Sequence, residues 1–177
     1  GKNYPAIAEH LLPFKAKAEK RCDKGDYWWE LRACDYYGEF EKPKIIFPDI
    51  STKGNFALDT SNSLTVNTSY VMPFNDLYLL GILNSNITTF YYSNITSAIR
   101  GGYLRFIFQY VSQLPIRAIN FKDKNDKSLH DRMVSLVSNM LELNKKLREV
   151  KTPHERELLE RQIKITDNQI DRLVYEL

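Results

Sequence analysis

The sequence predicts an α+β fold, in which a mixed domain is followed by an antiparallel, coiled-coil-like helical hairpin. Three observations lead there. Short segments of alternating apolar residues are interspersed with segments of helical spacing in the first two thirds of the chain. All seven glycines, and all aromatics except Phe121 and Tyr175, lie before residue 121. The remainder carries two long apolar seams of period 3.5 with no glycine. The boundary therefore falls near residue 120, giving domains 1–120 and 121–177.

Each element has its own signal. Pro5 to Arg21 carries Ile7, Leu11, Leu12 and Phe14 at helical spacing. Lys15, Lys17, Lys20 and Arg21 follow at its end, where cations suit the helix dipole. Lys44 to Ile50, KIIFPDI, is a short strand, and Pro48, with no N–H to give a ladder, places it near a sheet edge. Leu64, Val66, Thr68, Tyr70 and Met72 alternate as in a half-buried strand. Asp76 to Tyr92 reads as one helix, capped by Asn75 or Asp76, with Leu79, Leu80, Leu83 and Ile87 inside. Tyr103 to Val111, YLRFIFQYV, alternates again and predicts a strand.

The hairpin follows. Leu129, Met133, Leu136, Met140, Leu143, Leu147 and Val150 form one seam; Leu159, Ile163, Thr166, Ile170, Leu173 and Leu177 form the second. Between them, Thr152 is placed as an N-cap, Pro153 suits the first helical position and Glu155 completes a capping box. Two helices joined by so tight a turn pack antiparallel.

Charge and composition exclude several classes. Lys+Arg 25 against Asp+Glu 22 leaves a formal charge of +3, too little for a histone-like or tail-driven binder. No run of about 18 apolar residues exists to span a membrane. The opening segment is too charged for a signal peptide, which points to the cytoplasm, and its lack of an initiator Met suggests a piece of a longer chain. Cys22 and Cys34, with three scattered histidines, make neither a disulfide framework nor a four-ligand zinc site. In that compartment the three Asn-X-Ser/Thr strings at Asn67, Asn86 and Asn94 are chance matches.

Catalytic motifs are equally absent. No glycine-rich phosphate loop, nucleophile elbow or HExxH string is present. Pro48-Asp49 resembles the start of a PD-(D/E)xK nuclease motif, but its only downstream partner string, Glu149-Val150-Lys151, lies on the hairpin seam. There is no Asn-Pro-Pro-aromatic string to hold a target amine. The expectation is a fragment with no catalytic residue, no metal and no cofactor of its own.

The positive charge is unevenly spread. Gly54 to Ile99 contains no Lys or Arg, so the first domain's cations fall into islands at Lys15–Arg32, Lys42–Lys53 and Arg100–Arg105. Interleaved with Tyr27, Trp28, Trp29 and Tyr103, these suit a phosphate-binding face; the alternative is core and rim aromatics with solubilising lysines. Arg100-Gly101-Gly102-Tyr103 adds a turn at which backbone can approach a ligand closely.

A resemblance follows from these strings. Tyr4-Pro5 with His10-Leu11, Arg21-Cys22-Asp23-Lys24-Gly25 and Trp28-Trp29-Glu30-Leu31-Arg32 begin it. Lys42 to Ile50, Asn67-Thr68-Ser69-Tyr70, Leu79 to Ser85, Arg100 to Tyr103, Gln109-Tyr110 and Leu114-Pro115-Ile116 continue it. From about Tyr4 to Ile116 the chain resembles the TaqI-like C-terminal specificity domain of restriction–modification enzymes.

The resemblance implies a double-stranded DNA recognition module of an adenine-N6 methyltransferase, with or without a fused endonuclease, or of a related phage-exclusion enzyme. It also implies a partner, the methyltransferase domain of the same parent chain, which would carry S-adenosylmethionine, and magnesium for any nuclease. The hairpin resembles the helical spacers of type I specificity subunits. On this reading Lys15, Lys20, Lys42, Lys44 and Lys53 contact phosphates. Arg32, Ser51, Lys53, Asn67, Thr68, Arg100, Gly102, Tyr103 and Arg105 read bases or lie close to the backbone. The polar stretch Thr52 to Asn62 is expected to be a sequence-reading loop. The rival reading is a protein-interaction module whose hairpin docks a partner.

Overall fold

The computed structural model describes residues 3–22, 24–30 and 36–177. The chain divides into two compact units, Gly1–Glu39 and Phe40–Leu177. In the first, α1 (Pro5–Leu11) passes through a 3₁₀ turn (Leu12–Phe14) into α2 (Lys15–Ala18). The single helix expected from Pro5 to Arg21 is thus interrupted at Pro13, which lacks an N–H and crowds the preceding turn. Tyr27 and Trp29 stack at 4.8 Å, and Arg21 Nη2 donates to the carbonyls of Trp28 and Glu30. A one-turn helix, α3 (Tyr37–Phe40), falls at the boundary.

The second unit is α+β, as the sequence predicts. Strands β1 (Lys44–Pro48), β3 (Ala57–Asp59) and β4 (Ser69–Met72) form an antiparallel sheet in the order β3-β1-β4. Strands β2 (Ile50–Ser51), β5 (Ala98–Ile99) and β6 (Tyr103–Arg105) form a second, in the order β2-β6-β5. Helices α4 (Leu77–Asn84), α5 (Asn86–Ile95) and α6 (Phe108–Val111) pack on them. The hairpin helices are α7 (Lys124–Glu149) and α8 (Pro153–Glu176).

Four expectations are corrected. Strand β1 is central, not at an edge. Its partner β3 pairs only as far as Ile46↔Ala57, while Asp49 N bonds the Thr68 carbonyl on the other side. In that register Pro48 turns its donor-less nitrogen to the side where β3 has ended. Second, the strand predicted from Leu64 begins only at Ser69. Asp59 gathers the amides and hydroxyls of Ser61 and Ser63, Asn62 adopts φ 59°, and Leu64 and Val66 are left exposed. Third, the helix predicted from Asp76 to Tyr92 breaks at Ser85, in extended backbone. The Ser85 hydroxyl caps α5 by accepting from Thr88 N and satisfies the Ile82 carbonyl of α4. Fourth, the strand from Tyr103 ends at Arg105. Beyond it, buried Val111 and Leu114 follow helical spacing instead.

The hairpin forms as predicted, with Thr152 as N-cap, Pro153 first and Glu155 hydrogen-bonded to Thr152. Its seam does more than join its own helices. Met133, Val137, Ile170 and Leu173 belong to the same buried cluster as Ile45, Phe47, Leu83 and Phe106. Helix α4 is buried on several sides between them, and a side chain at Gly81 would meet Met133 Sδ at 2.7 Å and Val137 Cγ2 at 2.8 Å. Arg117 fastens the connection: Nη2 donates to Asp126 of α7 and Nη1 to the Leu177 carbonyl beyond α8. The compositional change near residue 120 therefore marks a change of architecture inside one compact unit.

Candidate nucleic-acid interface

Strand alternation divides β6 into two faces. Leu104 and then Phe106 point inward and are buried, while Tyr103 and Arg105 point outward and are exposed. Cross-strand register places Ile99 opposite Tyr103 and Ile50 opposite Arg105, so these four side chains share the outer face. Behind it, Tyr92 is fully buried and stacks on Phe106 at 4.4 Å. Burial raises the pKa of the Tyr92 phenol, and its hydroxyl donates to the Arg105 carbonyl at 2.7 Å. Thr96 donates to the same carbonyl at 3.0 Å.

A three-residue loop, Arg100-Gly101-Gly102, joins β5 to β6 at one end of this face. Gly101 and Gly102 adopt φ 91° and 79°, a left-handed conformation that residues with a Cβ rarely take. Space beside Gly102 is open, with no atom within 4 Å of where a Cβ would stand. Arg100 is exposed and forms no ion pair or hydrogen bond with a described residue. The tip thus offers an unpaired cation and accessible backbone.

Arg105 is different. Its Nε donates to Asp49 Oδ1 at 3.2 Å and its Nη2 to Asp49 Oδ2 at 3.4 Å. The hydrogen bond to Asp49, and then its charge, push the guanidinium pKa still higher. Asp49 stands between β1 and β2, and its sequence context, Pro48-Asp49, points only to a nuclease carboxylate. Here it is an ion-pair partner, and the hairpin string Glu149-Val150-Lys151 is at the far end of α7. No spacing rule links positions 56 residues apart in sequence; the two sheets bring them together.

The other sequence-predicted residues divide as follows. Ser51 lies in β2, half-buried, and its hydroxyl accepts from Lys53 N. Lys53 is exposed and near α8, where its charge opposes the rise that burial and Asp171 impose on the Asp167 carboxyl. Asn67 and Thr68 are exposed just before β4, and the Thr68 carbonyl is tied to Asp49 N. These residues, with Gly102, Tyr103 and Arg105, lie on or beside the two-sheet junction. Lys42 is exposed before β1. Lys15 and Lys20 belong to the first unit, where Lys15 pairs with Glu19. Arg32 lies outside the described residues.

Lys44 is a correction: it is fully buried, bonded to the Asp59 carboxylate and the Phe40 carbonyl, and presents no charge to a phosphate. The expected reading loop is also partly scaffold. Gly54 and Phe56 are buried, and Asn84 clasps the Phe56 backbone with both ends of its carboxamide.

Among the described residues, no cluster of three His, Cys, Asp or Glu side chains is placed to hold a metal ion, and no helix is long and apolar enough to cross a membrane. No curated protein matches the sequence. A family model does: the TaqI-like C-terminal specificity domain matches residues 7–116, which covers the β2-β6-β5 face, its Gly-Gly tip and the Asp49–Arg105 pair. The match spans well over half of the sequence, and the chain belongs to the TaqI-like C-terminal specificity domain family.

Proposed function

We propose that this chain recognises a specific double-stranded DNA sequence on behalf of an adenine-N6 methyltransferase of a restriction–modification or phage-defence system. The observation that carries this reading is the outer face of β2-β6-β5, with Tyr103 and Arg105 beside an arginine-bearing Gly-Gly tip. Membership of a specificity-domain family supports it. Arg100, Lys53 and Lys42 supply phosphate contacts, and Tyr103, Arg105, Asn67 and Thr68 face the groove. S-adenosylmethionine, and magnesium for any nuclease, act in other domains of the parent. The hairpin serves as the spacer that fixes this face relative to the methyltransferase domain, and the assembly works in the cytoplasm.

Fluorescence anisotropy with duplex DNA across a salt series tests the proposal. Binding should weaken with salt, with a log–log slope of about −0.9 for each phosphate contact. Arg100→Ala should make that slope shallower by about 0.9 while the melting temperature is unchanged. Absence of binding at low salt, with hairpin-driven self-association in its place, would favour a protein-interaction module.

A further inference from the structure

We propose that Asp49 is a positioning residue that holds Arg105 to read a guanine in the DNA major groove. The inference rests on the DNA-recognition reading above and assigns one reader and the base it takes.

A guanidinium carries five N–H donors in one plane, one on Nε and two on each Nη. Asp49 occupies the side edge, formed by Nε and one hydrogen of Nη2. The end edge, with one N–H from each Nη lying parallel, is left over, and 53% of the Arg105 side chain is exposed. Two parallel donors match two neighbouring acceptors, which guanine presents in the major groove as O6 and N7.

A phosphate also presents two oxygens, and charge separates the two ligands. Asp49 offsets the charge of Arg105 where a ligand would approach and sets a carboxylate beside it. Such a pair attracts a phosphate weakly, whereas a guanine edge is uncharged and needs only the donors. Arg100, three residues before Tyr103 and unpaired, suits phosphate better.

The pair is also held firmly. Asp49 N bonds the Thr68 carbonyl at 2.9 Å, and the Asp49 carbonyl accepts Phe106 N at 2.6 Å. The Arg105 carbonyl accepts the hydroxyls of Tyr92 and Thr96. A reader fixed at its backbone and along its guanidinium loses less freedom on binding than a free arginine.

The test is selection from a random duplex library by the 177-residue chain. Wild type is compared with Arg105→Ala, Arg105→Lys, Asp49→Ala and Asp49→Asn, with a salt series and a thermal melt for each. Wild type should select a motif containing one guanine that neither Arg105 variant selects, with the other positions intact. The salt slope of Arg105→Ala should equal that of wild type. Asp49→Ala should bind random duplexes at least as tightly as wild type, yet prefer that guanine about tenfold less. Asp49→Asn, which keeps one acceptor, should retain part of the preference. Placing 7-deazaguanine, which lacks the N7 acceptor, in the motif should weaken wild type about tenfold and Arg105→Lys hardly at all.

An unchanged motif for Arg105→Ala overturns the inference, as does a slope shallower by about 0.9 with the motif intact, which would make Arg105 a phosphate contact. Retention of the guanine preference by Asp49→Ala removes the positioning role. If Arg105→Ala fails to fold, Arg105→Lys, which keeps the charge and the reach to Asp49, carries the same comparison. Wild type that binds no duplex at all overturns DNA recognition itself, an outcome distinct from the loss of one motif position.

Discussion

The ammonium of Lys44 is enclosed in the core, held by the Asp59 carboxylate and the Phe40 carbonyl, while Asp59 also binds Ser61 and Ser63. An ion pair in such a place gains strength from low dielectric, and removing one partner strands the other. Lys44→Met should therefore lower stability by about 3 kcal/mol in urea denaturation at neutral pH. The hydrogen bond from Lys44, and next that from the Ser61 hydroxyl, hold the Asp59 carboxyl well below the usual carboxylate range. Because the folded pKa is depressed, this contribution is fully present above the unfolded pKa of about 4 and is lost as pH falls below it. Denaturation midpoints at pH 7, 4 and 3 should show wild type losing more stability over that interval than Asp59→Asn. Equal losses would mean that Asp59 is not the titrating group. In sequence, Lys44 is one more cation in a basic island, and only burial reveals its task.

Among the elements, the connection from β2 to β3 shows how a polar stretch becomes scaffold. It crosses the junction of α4 and α5, where Gly54 N donates to Thr89 Oγ1 and the Phe56 backbone exchanges two hydrogen bonds with the Asn84 carboxamide. A Cβ at Gly54 would stand 2.5 Å from the Leu83 carbonyl oxygen, a backbone atom that cannot turn aside. Gly54→Ala should cost about 1–3 kcal/mol, read as a lowered melting temperature. A variant as stable as wild type would show that the loop can lift away from α4. Hairpin capping at Thr152-Pro153-Glu155 was legible because a cap acts over three residues. The breaks at Pro13 and Ser85 had local signals too, a proline and a capping serine inside helical runs. At Ser85 the apolar periodicity on both sides outweighed that signal in the sequence reading.

On the scale of the molecule, the hairpin is inseparable from the sheets it packs against. Met133 and Leu173 are fully buried in the cluster that contains Ile45 and Leu83, and Met133 and Val137 of α7 close over α4 at Gly81. A chain of residues 40–120 alone should lose near-ultraviolet circular dichroism and cooperative melting, whereas residues 40–177 retain both. Cooperative melting of the shorter chain would show that the boundary near residue 120 separates independent domains. A shared core also suits the spacer role proposed above, since a hairpin that shares its core with the sheets carries the outer face with it.

By itself the sequence determined what depends on local pattern: the α+β class, the two-helix hairpin with its cap, a cap for α4 at Asn75 or Asp76, the Gly-Gly turn and the family. Each follows from residues a few positions apart, or from strings in a fixed order. Tertiary structure decided the rest. It made β1 central, buried Lys44 against Asp59 and joined the hairpin to the core. It also brought Asp49 to Arg105. These depend on which distant segments share a sheet or a core, and burial and pairing across such distances leave no period in the chain.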